Sequence, residues 1–218
     1  MAGNQSSTRG VRLTIIGIAV FITLVLVGFI HKISQPRILS AHELREKGAV
    51  LLQTPRKFSE FELTDHRGQP FGSEDLTGKW SLLFFGFTHC PDICPTTMAA
   101  AAKMYKGLEP EEKEQLQIVL VSLDPERDTT EKLSQYVPYF NPDFIGATGN
   151  QYVLLKLATE LNVAFSKVSL EGGDYTIDHG ANMILVNPYG HYHGFFKPPF
   201  EERRMRAAWR SIVSTFDQ

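Results

Sequence analysis

The sequence predicts an α/β domain with a central mixed sheet, preceded by one membrane-spanning helix. Three observations carry this expectation. Two continuous apolar runs, WSLLFFGF (residues 80–87) and LQIVLVSLD (residues 116–124), read as strands buried on both faces. Helical patterns alternate with them, as in sheets whose strands are joined by crossover helices. Ahead of both, residues 13–30 carry no charge; at ~1.5 Å per residue they span ~27 Å, enough for a bilayer core.

Residues 1–12 read as a cytoplasmic tail and residues 13–30 as the anchor. A cleaved signal peptide is the rival for this segment. Its apolar stretch is usually ~7–15 residues and ends at small residues. The run here is longer, and HKISQPRILS follows it without such a site. Charge does not fix the orientation: Arg9 and Arg12 precede the helix, while Lys32, Arg37, Arg45 and Lys47 follow it. Large domains translocate regardless of flanking charge. The tail lacks the Arg-rich amphipathic pattern of a mitochondrial transit peptide, which points to a bacterial protein.

Residues 31–55 read as a linker with a short helix at 41–47, and residues 56–218 as the globular domain. Within it, FELTDHRGQPFG (61–72) predicts a hairpin turning at Arg67-Gly68. The strand at 80–87 leads into a loop, GFTHCPDICPTT, holding both cysteines of the chain, Cys90 and Cys94. An alanine-rich helix follows, stopping near Gly107. After the strand at 116–124 come two helices, TTEKLSQYVPYF and QYVLLKLATELN. AFSKVSLEGGDYTID predicts a hairpin turning at Gly172-Gly173, and NMILVNPYGHYHGFF two strands about a turn at 187–190. The closing helix carries Met205, Trp209, Ile212, Val213 and Phe216 on one side.

Hydrophobic content of 43% and charged content of 21% are those of a globular chain, and about 165 residues support one ordinary core. A net charge of −2 offers no basic surface and excludes nucleic acid as a partner. Two cysteines exclude a disulfide-rich scaffold. If bridged, they would close so short a loop that the staple is worth only ~2 kcal/mol, so redox or metal chemistry explains them better.

Strand, cysteine loop, helix, strand, helix, hairpin, helix is the order of a thioredoxin-like fold, here with extra hairpins. The loop sits at the C-terminal end of a buried strand, where open α/β sheets place their sites. Pro95 suits the first helical position, which would put Cys94 near the N-cap, where free amides and the helix dipole favour a thiolate. Pro91 presets Cys90 toward an extended backbone. The pair can converge on one ion or bridge to each other, and its spacing leaves both chemistries open. His179 lies just ahead of the last buried strand, in the turn that faces the cysteine loop in such a topology. Two thiolates suit Cu(I), and a thiolate–imidazole mixture can also hold Cu(II). A structural zinc site would want a fourth strong ligand.

At this point the residues resemble a known family. GFTHCPDICP, then VSLDPERDT, then DHGANMILVNPYG are similar to the signatures of the Sco/SenC family, in order from about Phe58 onward. The resemblance implies copper held by Cys90, Cys94 and His179. It implies delivery of copper to the dinuclear copper centre of cytochrome c oxidase subunit II, or reduction of that subunit's cysteines before metal enters. With the anchor and the tail, the expected location is a bacterial inner membrane, single-pass, with the domain in the periplasm beside a copper donor or thiol reductant. The departures are small: His89 holds a variable position, and DPERDTT has threonine where the family often has proline. A peroxidase would need P-x-x-x-T-x-x-C, which is absent because Thr88 is two residues from Cys90.

Asp178 is the candidate to orient the imidazole. Asp92 reads as a helix cap, His191 and His193 as the wet face of a hairpin, and Met183 as core. Asp124, Glu126 and Asp128 read as strand-ending and helix-capping acids.

Overall fold

The computed structural model describes residues 5–34 and 37–216. Residues 1–4 of the expected tail and 35–36 of the expected linker lie outside the described residues. The chain forms two units, Leu39–Trp209 and the terminal remainder. The remainder holds α1 (Gln5–Ser34), which is longer than the expected 13–30. Its membrane-length stretch, Gly10–Ile33, has 24 residues and a mean hydropathy of 2.9, with its side chains exposed throughout.

The larger unit opens with α2 (Ala41–Glu46). Ser40 caps it: its Oγ accepts from Glu43 N, and the Glu43 carboxylate accepts from Ser40 N at 2.9 Å. Gly48, at φ +84°, then turns the chain into β1 (Ala49–Arg56). Because β1 pairs antiparallel with the last strand of the sheet, the domain begins inside the expected linker 31–55, not at residue 56. β1 escapes a pattern reading because it is an edge strand of mixed exposure that carries Pro55.

The hairpin of β2 (Glu62–Asp65) and β3 (Pro70–Gly72) turns as expected, with Gly68 at φ +79°. The core strands are β4 (Trp80–Gly86) and β5 (Leu116–Ser122), parallel, with every residue buried. Between them lie α3 (Ile93–Lys106) and α4 (Pro110–Glu114). α5 (Thr130–Phe140) crosses to β6 (Ile145–Thr148), also parallel to β5. α6 (Gln151–Glu160) leads to a separate two-stranded hairpin, β7 (Phe165–Ser169) and β8 (Tyr175–His179), turning through Gly172 and Gly173 as expected. β9 (Met183–Val186) and β10 (Tyr192–Phe196) return to the main sheet, and α7 (Glu202–Phe216) closes the chain, burying Met205, Ala208 and Trp209. The eight strands lie in the order β1-β10-β9-β4-β5-β6-β2-β3.

Two expectations change here. α3 starts at Ile93, with Asp92 at the cap position and making no side-chain capping bond. Cys94 therefore lies in the first turn, two residues past the cap, and Pro95 follows it rather than opening the helix. His191 precedes β10, so only His193 is on the strand. His193 packs edge-on to Trp80 with ring centroids 5.0 Å apart, and is half-buried rather than wet. Met183 is core, as expected.

Candidate metal centre

β4 ends at Gly86, directly beneath the cysteine loop. Cys90, on the loop, is partly exposed; Cys94, in the first turn of α3, is fully buried. Phe87 N–H points at Cys94 Sγ at 3.5 Å. Glycine is required at 86 because a Cβ there would lie 2.8 Å from Cys94 Sγ and 2.8 Å from the Phe84 ring.

His179 ends β8 and brings its ring to the sulfurs from the hairpin side. Nε2 is 3.4 Å from Cys94 Sγ. Nδ1 is 2.9 Å from the Gly180 carbonyl oxygen. That oxygen can only accept, so Nδ1 carries the proton and the Nε2 lone pair faces the cysteines. The ring is walled by Phe84 and Phe87, at centroid distances of 5.9 and 5.8 Å. Burial holds the His179 pKa below its ordinary value, against the weaker opposing pull of the Gly180 carbonyl and the Asp178 charge.

The ligand atoms of Cys90, Cys94 and His179 all lie within 4.8 Å of one another. Metal–sulfur and metal–imidazole bonds of ~2.3 and ~2.0 Å let one ion bridge donors this far apart. Two sulfurs and one imidazole are a soft set suited to copper. Among the described residues no other such group of histidine, cysteine and carboxylate donors occurs.

The structure corrects the expected electrostatics. Burial pushes the Cys94 thiol far up, and the neighbouring Cys90 adds to it, so burial outweighs the helix terminus. Asp178 is exposed and acts on His179 through its charge, while the Gly180 carbonyl is the group at Nδ1. His89 turns to Thr88 Oγ1 at 3.2 Å and Asp128 at 3.8 Å rather than to the sulfurs.

The acids of DPERD do more than cap. Asp128, with no exposure, accepts from Thr88 N at 3.0 Å, Thr88 Oγ1 at 2.6 Å and Ser122 Oγ at 2.6 Å, tying the cysteine loop to the end of β5. Asp124, 2% exposed, accepts from Tyr175 Oη at 2.7 Å and from Arg127 Nε at 2.5 Å, tying the same region to the His179 hairpin. Arg127 and Tyr175 drew no notice in the sequence, since neither is a ligand type and only the fold brings them together.

The SCO1/SenC family profile matches residues 51–214. The chain belongs to the SCO1/SenC family. A candidate copper-binding protein of Stutzerimonas stutzeri is 41% identical over 158 residues, covering 72% of this chain and 78% of that one. The mitochondrial SCO2 homolog of Homo sapiens is 35% identical over 164 residues, covering 71% of this chain and 62% of that one. Among solved structures, Arabidopsis thaliana ScoI with copper bound superposes with a TM-score of 0.68 at 30% identity, over 72% of this chain and 98% of that one. Apo Sco1 from Thermus thermophilus gives 0.68 at 33% identity, over 75% and 95%. The domain thus has the thioredoxin-like Sco fold, with an apolar N-terminal helix of membrane-spanning length ahead of it.

Proposed function

We propose that this SCO1/SenC protein is a membrane-anchored copper chaperone. In this reading Cys90, Cys94 and His179 hold one copper ion outside the membrane and pass it to the dinuclear copper centre of cytochrome c oxidase subunit II. The observation that carries it is the convergence of the three ligand atoms within 4.8 Å at the end of β4. The copper-bound Arabidopsis relative of the same fold supports the choice of metal. Cu(I) is the form expected from two thiolates, with Cu(II) accessible through the imidazole. In this reading α1 is a single-pass anchor in a bacterial inner membrane and the domain lies in the periplasm, where a copper donor or thiol reductant meets it; the membrane-length apolar helix supports the anchor.

The residues divide the work. The Gly180 carbonyl fixes the tautomer of His179. Phe84 and Phe87 exclude water from one side of the ring. Gly86 lets Cys94 Sγ approach the strand.

A second reading rests on the two sulfurs lying within 4.8 Å of each other. The pair could reduce a disulfide of the apo-oxidase subunit: two electrons and two protons pass to the partner's sulfurs, and a Cys90–Cys94 disulfide is left behind. His179 separates the readings, since exchange needs only sulfur. Reduced protein is expected to take up one copper per chain, and oxidised protein little until a reductant is added. His179→Ala should lose tight copper while its cysteine pair stays reducible. Equal uptake by reduced and oxidised protein, or wild-type affinity in His179→Ala, would refute the copper reading.

A further inference from the structure

His179 is carried by a hairpin outside the main sheet. β7 and β8 pair only with each other, and Ser166 to Asp174 lie exposed, so little core packing holds the hairpin in place. Its firmest ties run to the segment after β5. Tyr175 Oη donates to Asp124 at 2.7 Å, and a second acceptor, a Glu126 carboxylate oxygen, lies at 3.3 Å. Arg127 Nη1 donates to the Tyr175 carbonyl at 3.1 Å and to Asp174 at 3.2 Å, while its Nε donates to Asp124. The Arg127 guanidinium lies 3.7 Å from the Tyr175 ring centroid and 6.0 Å from that of Phe87. Lys167 stands over the same tyrosine ring at 3.6 Å and pairs with Glu126 at 2.8 Å. Asp124 is 2% exposed and the Arg127 side chain 20%, so this pair is shielded from the screening that weakens surface ion pairs.

Strand geometry connects these contacts to the ligand. Tyr175, Ile177 and His179 are alternate residues of β8 and share one face. Fixing Tyr175 against Asp124 and Arg127 therefore fixes the pitch of the strand that ends at His179. Phe87 lies between, touching the Arg127 cation and the His179 ring.

We propose that Asp124, Arg127 and Tyr175 form a latch that positions His179 against Cys90 and Cys94, and so sets how long copper is retained. The proposal rests on the copper reading above. None of the three residues is a ligand; they act through the hairpin.

The test uses the full-length reduced chain loaded with Cu(I), then challenged with an excess of a Cu(I) chelator. Arg127→Gln is expected to lose copper about 10–100-fold faster than wild type, the range seen when partners of metal ligands are removed. Free imidazole should restore retention in Arg127→Gln, as it should in His179→Ala, because both lack a seated ring. In the metal-free protein, amide exchange should quicken across residues 175–179 and stay unchanged in β4 and β5. Tyr175→Phe removes one oxygen and keeps the ring over Arg127; it should shorten retention in the same direction and decides the matter if Arg127→Gln does not fold. Wild-type copper loss in both latch variants, with His179→Ala losing copper, would overturn the latch alone. Fast loss that imidazole does not rescue, with exchange quickened through β4 and β5, would overturn it as general unfolding. Wild-type retention in His179→Ala would overturn the ligand set and the latch with it.

Discussion

Cys94, His179 and Gly86 show how a site is set at the scale of single residues. The two ligand types could be read from the sequence because cysteines are scarce in this chain and the signature around them is specific. The conformational details were not legible there. Cys94 was expected to gain a stabilised thiolate from the helix terminus, yet burial in the first turn of α3 pushes its thiol up instead. Asp178 reaches the imidazole through its charge, and a backbone carbonyl, which no residue type announces, holds Nδ1. Gly86 looked like the last residue of an apolar run; only the packed structure shows that a methyl there meets Cys94 Sγ and Phe84 at 2.8 Å. Gly86→Ala must therefore shift the sulfur or the ring. It is expected to lower stability by about 1–3 kcal/mol, as overpacking does, and to shift the sulfur–copper charge-transfer bands of the loaded protein. An unchanged spectrum and denaturation midpoint would contradict this close fit.

Elements were legible in proportion to their burial. β4 and β5, buried on both faces, stood out as apolar runs, and the hairpins announced themselves by their glycines. β6 did not, because IGAT has too few large apolar residues and its Gly146 is required by Val137 of α5, 2.8 Å from where a Cβ would stand. β1 was read as linker because an edge strand has no clean alternation. The β9–β10 hairpin announced itself, but which of its residues are wet depends on packing between distant residues, such as His193 against Trp80. That packing has a measurable consequence. Burial against the sheet lowers the pKa of His193 below its ordinary value. Burial does the same for His66, whose Nδ1 accepts from Gly146 N at 3.1 Å. The unfolded chain protonates these rings near their ordinary pKa of about 6.5 and the folded chain only at lower pH. Their contribution to stability is thus present above about pH 6.5 and lost as pH falls below it. Denaturant midpoints of the metal-free protein should drop between about pH 7.5 and about pH 5.5, and less steeply in His193→Gln. Equal slopes in the two proteins would contradict the assignment.

At the scale of the whole molecule, the described residues pair an exposed helix with an uncharged stretch over residues 13–30 and a domain of the Sco fold, a combination that suits tethered chemistry at a membrane surface. A helix of membrane-spanning length was legible from length and hydropathy alone, although α1 extends beyond the expected 13–30 at both ends. Its 24-residue apolar stretch measures ~36 Å, more than a ~30 Å hydrocarbon core, and fits with modest tilt. The full-length chain should stay with the membrane pellet through alkaline carbonate washing and be released by detergent; release by carbonate would contradict the anchor. X-ray absorption at the copper edge of the reduced, loaded, full-length protein tests the copper site most directly. A first shell of two sulfurs and one imidazole nitrogen, with the nitrogen missing in His179→Ala, is the predicted result. A shell of sulfur alone in the wild type, unchanged by that substitution, would contradict it.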